Sequence, residues 1–196
     1  RRWDTSNIIN FSLAFYDCAR LEHIDVSMWD TSKVRTTEHM FNNCKSLSTL
    51  NVSEWIMSNV RDMSGMFCRC ESLTDLDLSN WDISNCERID SMFAECINLK
   101  TVQLENWDTS KIISMALTFK SCKLLERLDI TKWNVSRCRC ILGIFDGCVN
   151  LSQINLYKWE LPECVNTHKA FDGCRSLHTL FMPRWVKKNL LFKEVK

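Results

Sequence analysis

The chain of 196 residues carries 25 basic and 24 acidic side chains, so its formal net charge is +1. This balance gives no electrostatic reason to expect nucleic acid or a membrane surface as a partner. No run of roughly 18 apolar residues is present, so no transmembrane segment is predicted. The length favours one domain with enough chain for a substantial core.

Two residue types recur with a period of 26 residues along almost the whole chain. All eight tryptophans follow it: Trp3, Trp29, Trp55, Trp81, Trp107, Trp133, Trp159 and Trp185. Seven of the twelve cysteines also follow it, each three residues after a phenylalanine: Cys18, Cys44, Cys70, Cys96, Cys122, Cys148 and Cys174. Such a period is typical of a repeat protein in which similar units stack on one another.

The first half of each unit has the apolar spacing of a helix. In the unit NVRDMSGMFCRCESLTDLDLSNWDIS, residues 59–84, four apolar residues stand at i, i+3, i+7 and i+10: Val60, Met63, Phe67 and Cys70. Ser84 and Glu87 have the spacing of a capping box at the start of the following helix. We therefore predict one short helix in each unit.

The second half of each unit has the alternation of a strand that buries one face, as in Leu76 and Leu78. Stacked parallel strands lie about 4.8 Å apart, whereas helix axes need about 8–10 Å. The helical side should then fan out. We predict an α/β fold, a curved solenoid like those of leucine-rich repeats, with a parallel β-sheet on the concave face and short helices on the convex face.

The late repeats depart from this pattern. Glu160-Leu161-Pro162 replaces the Asp-x-Ser element that follows most earlier tryptophans. Terminal repeats must end a stack with a polar face. We assign residues 1–186 to a single solenoid of about seven repeats, and residues 187–196 to a basic C-terminal cap.

Residues 26 positions apart occupy the same position in successive repeats, which we call a phase. A residue type that recurs at one phase predicts a column of identical side chains, or structural ladder, inside the stack. One ladder is a tryptophan column: Trp29, Trp55, Trp81, Trp107, Trp133 and Trp159. Each indole would bury roughly 150–250 Å², or roughly 4–6 kcal/mol of gross transfer free energy; the alternative is an exposed aromatic platform for sugars or bases. The other ladder is a cysteine column of buried free thiols: Cys44, Cys70, Cys96, Cys122 and Cys148. Parallel neighbours in such a column are poorly oriented for disulfides.

The other cysteines stand at different phases. Cys86, Cys138 and Cys164 replace Val or Ile and are predicted to lie in the core, whereas Cys68 and Cys140 occupy polar phases and are predicted to face solvent. The two Cys-x-Cys motifs lack the second pair that zinc spacing requires. No metal site, cofactor or catalytic residue is predicted, and the chain is predicted not to be an enzyme.

The outward residue between the last two leucines of each unit forms a polar column on the predicted concave face. Its members are Asp25, Asn51, Asp77, Gln103, Asp129, Asn155 and Phe181. Carboxylates alternate with amides, which separates like charges by roughly 10 Å and lets each amide donate to its neighbours. The column is either a hydrogen-bonded polar ladder or, together with Arg127 beside it, a ligand surface.

A second column, formed by the residue before each tryptophan, becomes basic along the chain. Its members are Met28, Glu54, Asn80, Asn106, Lys132, Lys158 and Arg184. Such a column is ordinarily a solvated face, and the alternative is a docking surface for an acidic partner.

The unit at 59–84 resembles the BspA-like leucine-rich repeats of bacterial surface proteins. The resemblance lies in Met-Phe-x-x-Cys, Leu-x-x-Leu-x-Leu-Ser and the aromatic-Asp-x-Ser turn, and it extends from about Trp3 to Trp185. Gly is common before the cysteine in that family, whereas this chain has Arg69, Glu95 and Ser121 there as well as Gly. The resemblance implies a solenoid for adhesion or protein interaction, often secreted or surface-anchored.

These patterns together favour a non-enzymatic interaction or adhesion module that binds a protein or glycan ligand through a solenoid surface. By the resemblance, the expected location is extracellular or the cell surface. The alternative function is a structural subunit of a larger assembly, such as a viral or cell-surface layer. The alternative location is the cytoplasm or a virion, because repeated free thiols suit a reducing compartment.

Overall fold

The computed structural model describes residues 3–162 and 165–181 as a stack of coils, each one repeat long. Four short strands lie at the Leu-x-Leu segments: β1 (Asp75–Asp77), β2 (Thr101–Gln103), β3 (Gln153–Asn155) and β4 (Thr179–Phe181). β1 pairs with β2 and β3 with β4, both in parallel. Every paired residue is opposite the one 26 positions later, so the sequence period is also the step from coil to coil.

A second ladder of parallel bridges joins the coils in another part of each repeat. It runs through Asn10, Thr36, Asp62, Arg88, Ser114, Cys140 and Asn166. In the Leu-x-Leu region the strand pairs are extended by bridges between His23 and Thr49 and between Arg127 and Gln153. The backbone of each coil therefore contacts its neighbour at two separate places.

The prediction of a helix in each unit is wrong for the described residues, which contain no helix. The Met-Phe-x-x-Cys segment is instead a series of turns, in which alternate N–H groups donate to the next coil. In the third coil these bonds join Gly65 to Asp90, Phe67 to Met92 and Arg69 to Ala94, at 2.7–2.9 Å. The intervening N–H groups donate to the carbonyl three residues back, as Cys70 does to Phe67.

Backbone conformation explains why the helix does not form. Gly65 and Arg69 have φ angles of 61° and 60°, which a right-handed helix cannot contain. The turns still direct Val60, Met63 and Phe67 inward, so helical spacing arose without a helix. The Ser84 N–H donates to Asp82 at 3.0 Å, so this Asp-x-Ser element forms an Asx turn and not a helix cap.

This correction also removes the argument for curvature. The predicted concave and convex faces depended on helices that need wider spacing than strands. Here both sides of the coil are joined to the next coil by backbone hydrogen bonds. We therefore call the outward side of the Leu-x-Leu segments the strand face, a name that assumes no curvature.

The core consists of aligned columns of identical side chains. Trp55 and Trp81 stack with ring centroids 6.4 Å apart and planes 1° from parallel, and Phe41 and Phe67 stack at 5.9 Å. The tryptophan column from Trp55 to Trp159 is buried, while Trp29 is half-buried. Each ring therefore packs against the equivalent ring of the adjacent coil, which stabilises the stack.

The residue before each repeated cysteine has a left-handed backbone conformation. Gly147 and Gly173 have φ angles of 74° and 70°, and Arg69, Glu95 and Ser121 adopt nearly the same left-handed conformation at 58–61°. Glycine has no steric penalty in this region, so each larger residue carries some backbone strain.

In the described part of the chain, no helix has the length and apolar character that crossing a bilayer requires. The predicted cap boundary at residue 186, Trp185 and Cys164 lie outside the described residues.

Candidate functional site

The strand face presents the predicted polar column to solvent. Asp25, Asn51, Asp77, Gln103, Asp129 and Asn155 are all exposed. The strand register sets Asp77 opposite Gln103 and Asn155 opposite Phe181. Neighbours in the column therefore lie on adjacent coils, and in these two pairs parallel strand pairing fixes the backbone beneath them.

Each carboxylate in this column is oriented by its own coil. Asp77 Oδ1 accepts hydrogen bonds from the Ser79 N–H at 3.0 Å and the Ser79 hydroxyl at 2.7 Å. Asp129 accepts the equivalent bonds from Thr131 at 3.1 and 2.7 Å. These bonds lower the pKa of both Asp77 and Asp129, so both carboxylates remain charged well below neutral pH.

Two amides of the column, Asn51 and Asn155, make turn contacts of the same kind as the carboxylates. Asn51 Oδ1 accepts from Ser53, and Asn155 Oδ1 accepts from the Tyr157 N–H at 3.0 Å. The sequence predicted bonds from amides to neighbouring coils, whereas these bonds stay within one coil. Five members of the column, all but Gln103 and Phe181, therefore belong to similar turns: Asp25, Asn51, Asp77, Asp129 and Asn155.

Arg127 lies beside this column, and its backbone bridges to Gln153 in the next coil. Its side chain is exposed. The residues before the tryptophans are also exposed, from Met28 to Lys158, while Arg184 lies outside the described residues. Both sets of candidate residues are accessible to a partner.

The cysteine column has no features of a reactive site. Each thiol donates to the phenylalanine carbonyl of the preceding coil, as Cys96 does to Phe67 at 3.0 Å. Burial raises the pKa of Cys174 to about 12 and also raises the pKa of Cys96 and Cys122. A nucleophilic cysteine needs a lowered pKa, so these thiols serve packing.

The cysteines outside the column separate into two groups. Cys86 and Cys138 are buried, while Cys68 and Cys140 are half-buried and less exposed than their polar phases predicted. All described cysteines are free thiols. Within each Cys-x-Cys motif one thiol is buried and the other is half-buried. This difference does not favour the binding of one metal ion by both thiols.

Sequence reasoning missed Tyr157, the most exposed large hydrophobic residue described, at 71%. Its phase is occupied by Ser27, Ser53, Ser79 and Thr131 in four other coils and by Glu105 in a fifth. A comparison of that phase between repeats would have found it, because a large ring replaces a small hydroxyl that serves a turn.

A known family model matches almost the whole chain. The family model described as "Mycoplasma protein of unknown function, DUF285" matches residues 1–102 and 70–185. The chain belongs to this DUF285 family. This membership supports the predicted resemblance to BspA-like repeats at the level of the repeat type.

A search of the curated proteins gives no match to this DUF285 chain. Among solved structures, it is similar to a leucine-rich cell surface protein from Faecalibacterium prausnitzii, with 20% identity and a TM-score of 0.46. The match covers 87% of this chain and 35% of the other protein, so the chain spans about a third of that structure.

Proposed function

We propose that this protein is a non-enzymatic binding module that recognises a protein or glycan partner through its strand face. The observation that supports this most is the exposed row of oriented side chains from Asp25 to Asn155. Because the turns already hold these groups, binding costs little conformational entropy. Stacked repeats commonly use such extended surfaces for recognition.

The location we propose is extracellular or the cell surface, in keeping with the resemblance to surface proteins. The buried thiols suit this location as well as a reducing one. Their raised pKa keeps them protonated, and protonated buried thiols resist oxidation. No catalytic, metal-binding or cofactor-binding role is proposed for any residue.

The test uses a peptide-display library and a glycan array, both probed with the purified protein. The strand-face variant combines Asp77→Asn with Asp129→Asn, which removes two charges but keeps the turn, as Asn51 and Asn155 do. The matched control combines Glu38→Gln with Glu87→Gln at exposed positions near the other bridge ladder.

Ligands that bind the parent and the control but bind the strand-face variant at least about tenfold more weakly support the proposal. Equal binding by all three proteins would exclude the strand face as the recognition surface.

A further inference from the structure

Two exposed aromatic residues replace the polar residues that the repeat has elsewhere on the strand face. Tyr157 stands at the phase of Ser79 and Thr131, and its ring is not needed for the turn, because only its N–H bonds to Asn155. Phe181 stands at the phase of Asp129 and Asn155 and is 57% exposed. The fold does not require either ring.

Strand pairing places these two residues on adjacent coils, two positions apart in register. Asn155 is opposite Phe181 in the β3–β4 pair, and Tyr157 follows Asn155 by two residues. The Leu156 N–H, adjacent to Tyr157, donates to the Phe181 carbonyl at 2.7 Å. The two aromatic residues therefore belong to neighbouring coils, the last two that the structure describes on the strand face.

Two lysines on neighbouring coils occupy the phase that directly follows Tyr157. Lys158 follows Tyr157 directly, and Lys132 occupies the same phase one coil earlier; both are exposed. Some other cations are paired between coils, such as Lys45 with Glu71 at 3.0 Å and Arg69 with Glu95 at 2.9 Å. Among the described residues, neither Lys132 nor Lys158 has an ion pair within 4.0 Å. Like charges on neighbouring coils are unfavourable unless other groups compensate them, and Asp129 supplies part of that compensation near Lys132.

We propose that this aromatic and basic patch, Lys132, Tyr157, Lys158 and Phe181, binds an acidic segment of a partner protein that also carries aromatic or aliphatic side chains. Carboxylates of that segment pair with the two lysines, and its apolar side chains pack on the two rings. This inference depends on the proposed function, because it locates and characterises the ligand of the same face.

Charges around the patch favour a peptide over a dense polyanion. Asp129 lies close enough to Lys132 for the lysine to lower its pKa, and Glu160 follows Trp159 by one residue. These carboxylates repel a sulfated glycan or nucleic acid, in which negative charges are closely spaced. A peptide can place carboxylates at the lysines and neutral groups at Asp129.

The experiment measures fluorescence anisotropy with the labelled peptide Gly-Glu-Phe-Glu-Gly-Glu-Phe-Glu, with its Gln-for-Glu counterpart, and with labelled heparin. We expect the acidic peptide to bind and the Gln peptide to bind at least about tenfold more weakly. Lys132→Gln combined with Lys158→Gln should weaken the acidic peptide by about tenfold, and the effect should shrink in ~1 M salt.

The aromatic contribution is tested with residues that the repeat itself supplies. Tyr157→Ser combined with Phe181→Asn restores the polar residues of other coils, so it should leave the melting temperature unchanged while weakening the peptide about fivefold or more. The control, Lys123→Gln combined with Arg137→Gln, removes the same charge at exposed positions elsewhere and should change binding by less than about twofold.

Several results would overturn the inference. These are heparin binding without peptide binding, equal binding of both peptides, no acidic-peptide binding up to ~1 mM, or equal effects of the control and the lysine variant. The strand-face variant Asp77→Asn with Asp129→Asn is measured in parallel. Peptide binding that depends on the patch but not on Asp77 and Asp129 would retain a binding role and reject only the wider polar column.

Discussion

Interior coils and the N-terminal coil carry nearly the same residues but bury them very differently. Trp107, with neighbours above and below, is 2% exposed, whereas Trp3, with a described neighbour on one side, is 62% exposed. Cys96 is fully buried and Cys18 is exposed. Trp3 and Cys18 are therefore more exposed than the interior members of their columns, whereas Phe11 and Val26 of the same N-terminal coil are buried.

The largest test of this comparison is the loss of one indole in each region. Trp107→Ala leaves a cavity between two stacked rings and should lower the free energy of unfolding by about 3–5 kcal/mol. Trp3→Ala removes an exposed ring and should cost less than about 1 kcal/mol. Urea unfolding followed by circular dichroism measures both. Similar losses at the two sites would show that position in the stack does not set the contribution.

The thiols provide the second test, through pH. Burial raises the pKa of Cys86 to about 12 and that of Cys138 to about 11, from an ordinary value of 9.0. A raised folded-state pKa means that the folded chain holds protons that the unfolded chain releases, so stability falls as pH rises above 9.

Cys86→Val combined with Cys138→Val introduces the residue that Val34 and Val60 supply at this phase. Between pH 8 and 10 the parent should lose about 3 kcal/mol more than this variant, about 1.4 kcal/mol for each thiol. Urea unfolding at each pH measures the difference, and parallel curves would contradict the prediction. The N-terminal coil gives the matching comparison. A thiol reagent at pH 8 should label Cys18 in the folded protein, and the buried cysteine column from Cys44 to Cys148 only after unfolding.

The left-handed phase of the turn segment provides the third test. A Cβ on Gly65 would collide with the His39 ring of the preceding coil, and Gly65 has φ 61°. Gly65→Ala should therefore cost about 2 kcal/mol, part of which His39→Ser should restore. In the N-terminal coil, Leu13 has φ 62° at this phase and is 54% exposed. Leu13→Gly should therefore raise the free energy of unfolding by about 0.5–1 kcal/mol.

Thermal melting compares these glycine-phase variants. Gly147→Ala serves as the control, because its Cβ would meet Ser121 Oγ at 3.1 Å, a contact that a small adjustment relieves. Both glycines have a left-handed φ, so both alanines carry backbone strain. A loss at Gly147 as large as that at Gly65 would mean that the collision with His39 adds nothing.

The smallest test concerns indole hydrogen bonds along the interior. Trp81 Nε1 donates to the Val52 carbonyl at 2.8 Å, whereas Trp133 Nε1 has no partner among the described residues. Trp81→Phe should therefore cost about 1 kcal/mol more than Trp133→Phe. Equal losses in urea unfolding would show that these bonds add nothing to the packing of the rings.

Residue phases predicted which side chains share a column, but not the backbone that connects them. The spacing of Met63 and Phe67 suits a helix and also suits successive turns, so period alone could not distinguish the two. The distinguishing signal was Gly65, which stands near the middle of the supposed helix and has a left-handed φ. Arg69 adopts a left-handed conformation too, and the sequence signals it only at the equivalent positions of later repeats, Gly147 and Gly173.

The candidate site was predictable in its positions and less so in its contacts. The outward column from Asp25 to Asn155 is exposed at the predicted phase. Its hydrogen bonds stay within each coil because Ser79 and Thr131 are close in sequence to their carboxylates. Only deviations from the repeat, such as Tyr157, distinguish one coil from another as a possible binding position.

The amino-acid sequence by itself determined the period, the step of one coil and the identity of each column, because a repeated phase must occupy a repeated environment. Tertiary structure alone decided that the Met-Phe-x-x-Cys segment is turns. An isolated segment has only its own carbonyls to accept its N–H groups, whereas a stacked coil offers carbonyls 25 residues further on. It also decided how deeply each member of a column is buried, because Trp3 and Trp107 share a phase but are 62% and 2% exposed.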